Sequence, residues 1–376
     1  EVYELLDLVA VSIAADIVPI TGENRVLAYY GLQLINKNPR PGLEAVLSHA
    51  NVYRLEEEPS SDSEHPQNVL NKEVTISDLV FMIGPRINAA GRLEKASDSV
   101  RLLIAERKEH ADKLASSIND LNVKRREFDN KITEEALAMI EENEKLLNAK
   151  STVIFNENWH KGVIGIVASR LTDSYYRPTV VLTRSNNLIT GSARSIKNFD
   201  IYDAIDNCSD LLEHFGGHKY AAGLSLKPEN LEEFSRRFEE YVASNLDNEE
   251  LIPELNVDLE IDFSDINPKF VRVLKQFAPF GPGNMAPVFL SRNVVDTGLS
   301  RPVGNQKHLK LSMVQAHDAE LVFAGIAFQK GSDYQRVRSK EPFSICYCIE
   351  KNFWQGKTSL QLNVKDIKFD EDDVNF

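Results

Sequence analysis

The sequence predicts a multidomain protein in which α/β structure is followed by a small all-β domain. The chain has 376 residues, more than one ordinary hydrophobic core holds, and this length corresponds to roughly two to three domains. Between residues 151 and 244, short apolar runs alternate with helical patterns, as in an α/β domain. Beyond Pro253 short apolar runs follow one another, which predicts a small closed β-barrel.

The composition is that of a soluble globular protein. Hydrophobic residues make up 42% of the chain, and no apolar run approaches the roughly 20 residues that span a bilayer, so no membrane contact is expected. The first residues lack the basic segment and apolar stretch of a secretory signal. The three cysteines, Cys208, Cys346 and Cys348, cannot all pair and suggest neither a redox nor a zinc motif. These features predict a cytoplasmic protein.

The charge distribution indicates a local anion site rather than a nucleic-acid coat. The net charge of −14 argues against a histone-like protein, because binding to phosphate by charge alone requires excess Lys and Arg. Residues 160–199 nevertheless carry six basic residues against one acid, Asp173. A basic region of this kind within an acidic protein is typical of a focused anion site.

The first 150 residues contain three segments that bear on organisation. Residues 5–16 are interpreted as an apolar strand ending at Asp16, where strands of α/β sheets carry ligands; a helix cap is the alternative role for this aspartate. Residues 56–66 combine acids, serines and prolines, which predicts a mobile loop without function. Residues 97–148 lack proline and glycine and carry a helical apolar stripe, which predicts one helix of about 50 residues or two shorter ones.

The remaining elements follow from the apolar pattern. We expect α/β strands at 151–156, 178–183 and 189–195, and helices at 163–173, 202–214 and 231–244. The expected barrel strands are 288–290, 309–313, 321–327, 343–349 and 359–364, with a turn at residues 354–357 and a solvated acidic tail at 370–373.

Three glycine-rich strings place backbone amides or hydroxyl groups beside a cation. They are GPRINAAGRL at residues 84–93, GSARS at 191–195 and GGHKYAAG at 216–223. Ser192 and Arg194 lie two residues apart on an expected strand, so both side chains face one side and could hold one phosphate. A glycine-rich turn with an arginine is more often only a turn, and an isolated histidine such as His218 is more often a structural residue. The coincidence of three such strings makes phosphate binding as well supported as the structural reading, and both stay open at this point.

These strings, with the residues between them, resemble the RecJ family of single-strand-specific exonucleases. The resemblance also includes ADIVPI at 15–20, TGENR at 21–25, WHKGVIGIVA at 159–168 and FGPGN at 280–284, in that order, and covers essentially the whole chain. GGHxxAAG and GSxRS belong to the wider DHH phosphoesterase superfamily, which includes nanoRNases and cyclic-dinucleotide phosphodiesterases. The long helix and the FGPGN-led barrel favour RecJ.

The resemblance implies a domain order. Residues 1–96 would be a remnant of a DHH α/β catalytic domain, 97–148 a connecting helix, 149–250 an α/β DHH-associated domain and 251–376 an OB-fold-like domain that binds nucleic acid. The implied activity is 5′→3′ hydrolysis of single-stranded DNA in recombination and repair, by a phosphodiesterase with two manganese ions, or magnesium as the alternative. Asp16 matches the family's last metal-binding aspartate and would be catalytic.

One departure from the family is large. No Asp-His-His string occurs in the 376 residues, so the motifs that supply most metal ligands are absent. We therefore expect that the N-terminal part of the catalytic domain is missing and that this chain alone is inactive. A noncatalytic module that binds strand ends, and a phosphodiesterase for short oligonucleotides or cyclic dinucleotides, are the alternatives.

The resemblance also implies strand-binding residues and partners. Ser192 and Arg194 correspond to the pair that holds the 5′-phosphate of the strand, with Arg86 or Arg92 assisting. Single-strand-binding protein and a helicase are the implied protein partners. In the barrel, Trp354 and Phe353 are candidates for base stacking beside Lys307, His308 and Lys310, and core packing is the alternative for both aromatics. The remaining residues expected to line the groove are His160, Lys161, Gly216, Gly217 and His218.

Overall fold

The computed structural model describes residues 2–55, 69–354 and 357–369. Of Phe353, Trp354, Lys357 and Thr358 it describes the backbone alone. The loop expected at 56–66, the turn at 354–357, the stacking role of Trp354 and Phe353 and the acidic tail therefore lie outside the described residues. The chain forms two compact units, residues 1–84 with 255–376 and residues 85–254, and each is described by itself. No helix of the described residues has the length and apolar character needed to cross a membrane.

The N-terminal part of the first unit is helical. Its helices are α1 (Leu6–Ala15), α2 (Gly22–Lys37), α3 (Pro41–Ser48) and α4 (Ile76–Asp78), followed by a π-helical segment at Leu79–Ile83. The strand expected at residues 5–16 is wrong, because this segment forms a helix whose buried residues Leu6, Ala10 and Ala14 recur every four positions. Asp16 consequently caps the C-terminus of a helix and does not end a strand.

The second unit begins with helices. They are α5 (Gly84–Leu93), α6 (Ser97–Leu103), α7 (Lys108–Glu141) and α8 (Glu144–Asn148). The expectation of one helix, or of two, over 97–148 is wrong, because the segment breaks at residues 104–107 and 142–143 and forms three helices. The longest helix, α7, has 34 residues and extends about 51 Å.

The rest of the second unit is an α/β domain around a five-stranded sheet. Its elements are β1 (Thr152–Phe155), α9 (Ile164–Tyr175), β2 (Thr179–Ser185), β3 (Leu188–Arg194), α10 (Ile201–Asp206), β4 (Leu212–His218), β5 (Ala221–Leu226) and α11 (Leu231–Asn245). The strand order is β1-β2-β3-β5-β4, in which the pair β1–β2 is parallel and the others are antiparallel. The helix expected at 202–214 is wrong in its second half, because residues 212–218 pair with β5 as an edge strand.

The C-terminal part of the first unit is the closed barrel that the strand pattern predicts. Its elements are β6 (Leu259–Glu260), α12 (Pro268–Lys275), β7 (Phe289–Asp296), β8 (Arg301–Val303), β9 (His308–Gln315), β10 (Asp318–Ala327), α13 (Tyr334–Val337), β11 (Phe343–Trp354) and β12 (Lys357–Phe369). Five strands form a ring in the order β7-β11-β12-β10-β9, and pairing of β9 with β7 closes it. Buried aromatic side chains, among them Phe263, Phe343 and Tyr347, fill the interior.

A loop that precedes the barrel packs against the N-terminal part of the same unit. The backbone N–H of Ile20 donates to Pro282 O at 2.6 Å. Arg25 reaches the same region, since its Nη2 donates to Phe277 O at 2.9 Å. Between these contacts, Gly281 lies against Ile20, which is fully buried. The FGPGN string is therefore a packing element that joins the barrel to the segment following Asp16.

Replacing Gly281 with alanine is expected to destabilise this contact by about 1–3 kcal/mol, as overpacking of a close-packed interior does. A Cβ atom there would lie 2.6 Å from Ile20 Cγ1 and 3.3 Å from Ile76 Cγ2. Hydrogen exchange of the Ile20 amide measures the effect directly, and Gly216→Ala is the control because its added Cβ meets nothing within 4 Å. Unchanged protection of Ile20 would show that the loop yields without cost.

Candidate phosphate-binding site

Ser192 and Arg194 form a hydrogen-bonded pair on β3. They lie two residues apart, so their side chains share one face of the sheet, as the sequence predicts. Arg194 Nη1 donates to Ser192 Oγ at 3.0 Å and to Ala193 O at 2.7 Å, and Nε donates to Ser169 Oγ of α9 at 3.2 Å. The guanidinium group is thereby held in one orientation by neutral oxygen atoms.

The N-terminus of α9 lies against this pair. A Cβ atom at Gly165, the second residue of the helix, would be 3.0 Å from Ser192 Oγ and 3.1 Å from Arg194 Nη2. Glycine therefore permits the first turn of α9 to approach both side chains. Because the N-terminus of a helix carries partial positive charge and unpaired N–H groups, this is a suitable place for a phosphate.

The glycine string at 216–223 lies on β4 and β5. These strands continue the sheet beyond β3, on the face that carries Ser192 and Arg194. Ser192 is in register with Gly223 of β5, which is in register with Gly216 of β4. One row further, Arg194, Ala221 and His218 are in register in the same way. Residues 216, 218, 221 and 223 are exposed, and a Cβ at Gly216 would meet nothing within 4 Å. Beside the Ser–Arg pair, the sheet therefore presents an open surface of small residues bordered by His218.

Gly217 has a structural role in this hairpin. A Cβ atom there would lie 2.4 Å from Ala221 O, so a larger residue would separate β4 from β5. The expected contribution of Gly217 to strand binding is therefore through the shape of the hairpin.

The string GPRINAAGRL is helical and not a loop. Residues 84–93 form α5, in which Ala89 and Ala90 are completely buried, so the expected exposed amides of this string do not exist. Its two arginines contact neighbouring segments of the second unit. Arg92 is exposed and donates from Nη1 to Gly162 O at 3.2 Å, while Arg86 Nε donates to Asn119 Oδ1 of α7 at 3.2 Å.

Electrostatics link Arg92 to the Ser–Arg pair. Burial lowers the pKa of the Arg194 guanidinium, and the positive charge of Arg92 lowers it further. The hydrogen-bond partners of Arg194 in the described part of the chain are hydroxyl and carbonyl oxygens, which do not neutralise its charge. An anion bound near both arginines would relieve this repulsion.

His160 and Lys161 precede α9. The ring of His160 stacks on Phe128 of α7, with centroids 5.6 Å apart, and its Nδ1 accepts from Gly162 N–H at 3.1 Å. His160 therefore fixes the loop that contacts Arg92. The side chain of Lys161 is exposed.

Asp16 belongs to the first unit, and the described residues by themselves do not build a metal centre around it. It is exposed, and no group of three or more His, Cys, Asp and Glu side chains in the described ranges could hold a metal ion. A two-metal site needs several such ligands.

Several polar residues of α7 that the sequence pattern did not identify lie near the arginines. Asn122, Arg125 and Asp129 occupy positions i, i+3 and i+7 of the helix, and Asn122 and Asp129 are buried. The charge of Arg125 is coupled to that of Arg92. The signal was present in the sequence, because these residues interrupt the buried stripe of α7 at helical spacing.

Two family descriptions match parts of the chain. Residues 143–244 match the DHHA1 domain, and residues 257–366 match the RecJ OB domain. These ranges contain the Ser–Arg pair with its open sheet surface, and the closed barrel.

Similar proteins extend the match over nearly the whole chain. The "single-stranded-DNA-specific exonuclease RecJ" of Bacillus subtilis is 33% identical over 98% of this chain and 44% of its own length. The protein of that name from Haemophilus influenzae is 33% identical over 96% of this chain and 61% of its length. The chain thus spans about half the length of these curated relatives.

A solved structure agrees with this relationship. RecJ of Thermus thermophilus in complex with Mn²⁺ superposes with a TM-score of 0.79 at 25% identity, covering 98% of this chain and 50% of that protein. A second structure of the same protein, in complex with Mg²⁺, gives a TM-score of 0.78. The chain belongs to the RecJ family, with a DHHA1 domain and a RecJ OB domain.

Proposed function

We propose that the second unit binds the 5′-phosphate of a single DNA strand, and that the full-length protein is a 5′→3′ exonuclease acting in recombination and repair. The observation that carries the proposal is the Ser192–Arg194 pair at the N-terminus of α9, next to an open sheet surface of small residues. A terminal phosphate fits the donors of the pair, and the nucleotide that follows requires an open surface. The names of the relatives support the substrate class.

Divalent ions enter the proposal through the relatives alone. The Thermus thermophilus structures contain Mn²⁺ or Mg²⁺, and we propose a two-metal hydrolysis in the full-length protein on that basis. Asp16 is the residue of this chain that we would place at such a centre. The contribution of the described residues is to bind and orient the strand.

The barrel is proposed to bind the continuation of the strand. The half-buried ring of His308 and the exposed ring of Phe328 form an edge-to-face pair with centroids 5.2 Å apart, and Lys307 and Lys310 lie near His308 in sequence. Aromatic rings with neighbouring cations are typical of OB-folds that bind single strands by stacking. Single-strand-binding protein and a helicase remain predicted partners.

We expect the purified 376-residue chain to bind a 5′-phosphorylated oligonucleotide about 10- to 100-fold more tightly than its 5′-hydroxyl counterpart, because the terminal phosphate gains charged hydrogen bonds. We also expect no degradation of the strand with Mn²⁺, since Asp16 alone cannot hold two ions. Fluorescence anisotropy with and without Mn²⁺, followed by product analysis on a denaturing gel, measures both.

The outcomes separate the candidate functions. Equal affinity for both ends would contradict a 5′-phosphate anchor, and Mn²⁺-dependent cleavage would contradict the assignment of strand binding alone. Binding of a dinucleotide as tight as that of a long strand would favour the alternative, a phosphodiesterase for short substrates, because the barrel would then be unused.

A further inference from the structure

Helix α7 carries a buried polar face that the Ser192–Arg194 anchor does not use. The side chains of Asn122 and Asp129 are 4% and 1% exposed, at positions where the helix otherwise buries Ile118 and Ile132. Arg125 lies between them and is half-buried. Helix spacing places all three on one side.

Polar atoms of this face lack partners. Within the described residues, Asn122 Oδ1 and Arg125 Nε are buried without a hydrogen bond, whereas the Asp129 carboxylate interacts with Thr133, one turn further along α7. Buried polar atoms in folded proteins are almost always paired, so unpaired ones concentrated on a single face require an explanation. A polar ligand or ordered water at this face would provide the missing partners.

The charge around this face is strongly positive. Asp129 is paired with Arg170, whose Nη2 lies 2.7 Å from Asp129 Oδ2. Burial lowers the pKa of Arg125; Asp129 opposes this shift, while Arg92, Arg126 and Arg170 add to it. Electrostatic interactions among the described residues connect six guanidinium groups in this region with the carboxylate of Asp129; they are those of Arg86, Arg92, Arg125, Arg126, Arg170 and Arg194.

The terminal phosphate of a strand would neutralise only part of the positive charge of these arginines. Arg92 hydrogen-bonds Gly162 O in the loop whose His160 stacks on Phe128 of α7, and its charge acts on both Arg194 and Arg125, so the positive region extends from the anchor on β3 towards the face of α7. A ligand that matches it carries more than one anionic group along its length, as a nucleic-acid strand does.

We propose that Arg125 and Arg126 of α7 form a second anion site, which binds the internal phosphodiester that follows the 5′-phosphate of the strand. This inference rests on the proposed function, because the terminal phosphate at Ser192 and Arg194 defines which phosphate is the second. Arg125 offers an unpaired N–H group, and the exposed Arg126 adds a second guanidinium. The second unit would therefore bind the charge of the internal backbone as well as the terminal phosphate.

The test compares two dinucleotides with a 5′-phosphate that differ only in their internal linkage, a phosphodiester or a neutral methylphosphonate. The chain should bind the charged linkage about tenfold more tightly, as expected for one charged hydrogen bond. In Arg125→Gln and Arg126→Gln this preference should fall to about twofold or less, while Arg125→Lys should recover part of it. Competition against a labelled strand in metal-free buffer measures all affinities.

Controls separate this inference from the anchor. Lys113→Gln removes one exposed charge from the same helix and should leave the linkage preference intact. Comparing 5′-phosphate with 5′-hydroxyl dinucleotides in each variant reports on the anchor independently. If the chain shows no preference for the 5′-phosphate but its preference for the charged linkage depends on Arg125, the proposal for Ser192 and Arg194 is contradicted. The proposal for the α7 site is then still supported. If the linkage preference persists in both glutamine variants, or falls equally in Lys113→Gln, the α7 site is refuted. Should Arg125→Gln unfold, the exposed Arg126→Gln decides.

Discussion

Replacing Arg177 with leucine is expected to destabilise the second unit by about 3–5 kcal/mol, at the upper end of the range for single substitutions. Arg177 is 4% exposed and connects the end of α8 to β1. Its Nε donates to Thr152 Oγ1 at 2.8 Å and its Nη2 to Leu146 O at 2.8 Å. Its Nη1 also donates to the carbonyl oxygens of Leu147 and Ala149. Leucine would leave these buried acceptors without donors.

Hydrogen exchange of the β1 and β2 amides is the suitable measurement, because a chain with two units need not unfold in one step. Arg184→Leu is the matched control, since Arg184 is an arginine of β2 whose side chain is 53% exposed and pairs only with Glu157 at 3.4 Å among the described residues. Arg177→Lys should be intermediate, because an ammonium group cannot reach all four acceptors. A loss below about 1 kcal/mol for Arg177→Leu would mean that water replaces the guanidinium group.

Arg177 also shows what the sequence pattern could and could not predict. It was correctly placed in a basic region, but its role is structural, since its partners come from residues 146–152. Of the described arginines in that region, Arg194 forms the pair with Ser192. Composition therefore does not separate a structural arginine from a candidate ligand, whereas the alternation of side chains along β3 correctly places Ser192 and Arg194 on one face.

Errors in the expected elements have physical causes. The apolar residues of α1 resembled a strand because periodicity does not separate a short buried helix from a buried strand. The glycines of the 84–93 string suggested a turn, but buried Ala89 and Ala90 pack a helix there. Residues 212–218 form a hairpin with β5, and its two-residue turn, Lys219–Tyr220, carries no Asn-Gly or Asp-Gly signal that would have indicated it.

The candidate site could be predicted only in part. Ser192, Arg194 and the glycines of β4 were identified, but their alignment through Gly223 depends on strand register. The polar face of α7 had no motif to mark it, because its residues lie within a helix that otherwise follows an apolar stripe. Its members are visible in the sequence once Asn122, Arg125 and Asp129 are placed on one helical face.

Replacing Arg194 with alanine is expected to reduce the affinity for a 5′-phosphorylated strand about 10- to 100-fold. The affinity for a 5′-hydroxyl strand should change little. Loss of a hydrogen bond to a charged group corresponds to about 1.5–3 kcal/mol, and arginine can form two with one phosphate. Arg194 is already oriented by Ser192 and Ser169, so little conformational freedom is lost when it binds. Titrating both oligonucleotides into the parent chain and the variant gives the ratio of the affinities.

Two further variants make the result specific to the geometry of the pair. Arg194→Lys keeps the charge but lacks the planar pair of donors, so we expect it to recover only part of the preference for the phosphorylated end. Arg184→Ala removes an exposed arginine from the neighbouring strand β2. It should lower the affinity for both oligonucleotides slightly and equally. If Arg194→Ala also weakens both ligands equally, Arg194 is a general electrostatic contact. The terminal phosphate would then have to be held elsewhere in the positive region, with Arg92 the first residue to replace because its charge interacts with those of both Arg194 and Arg125.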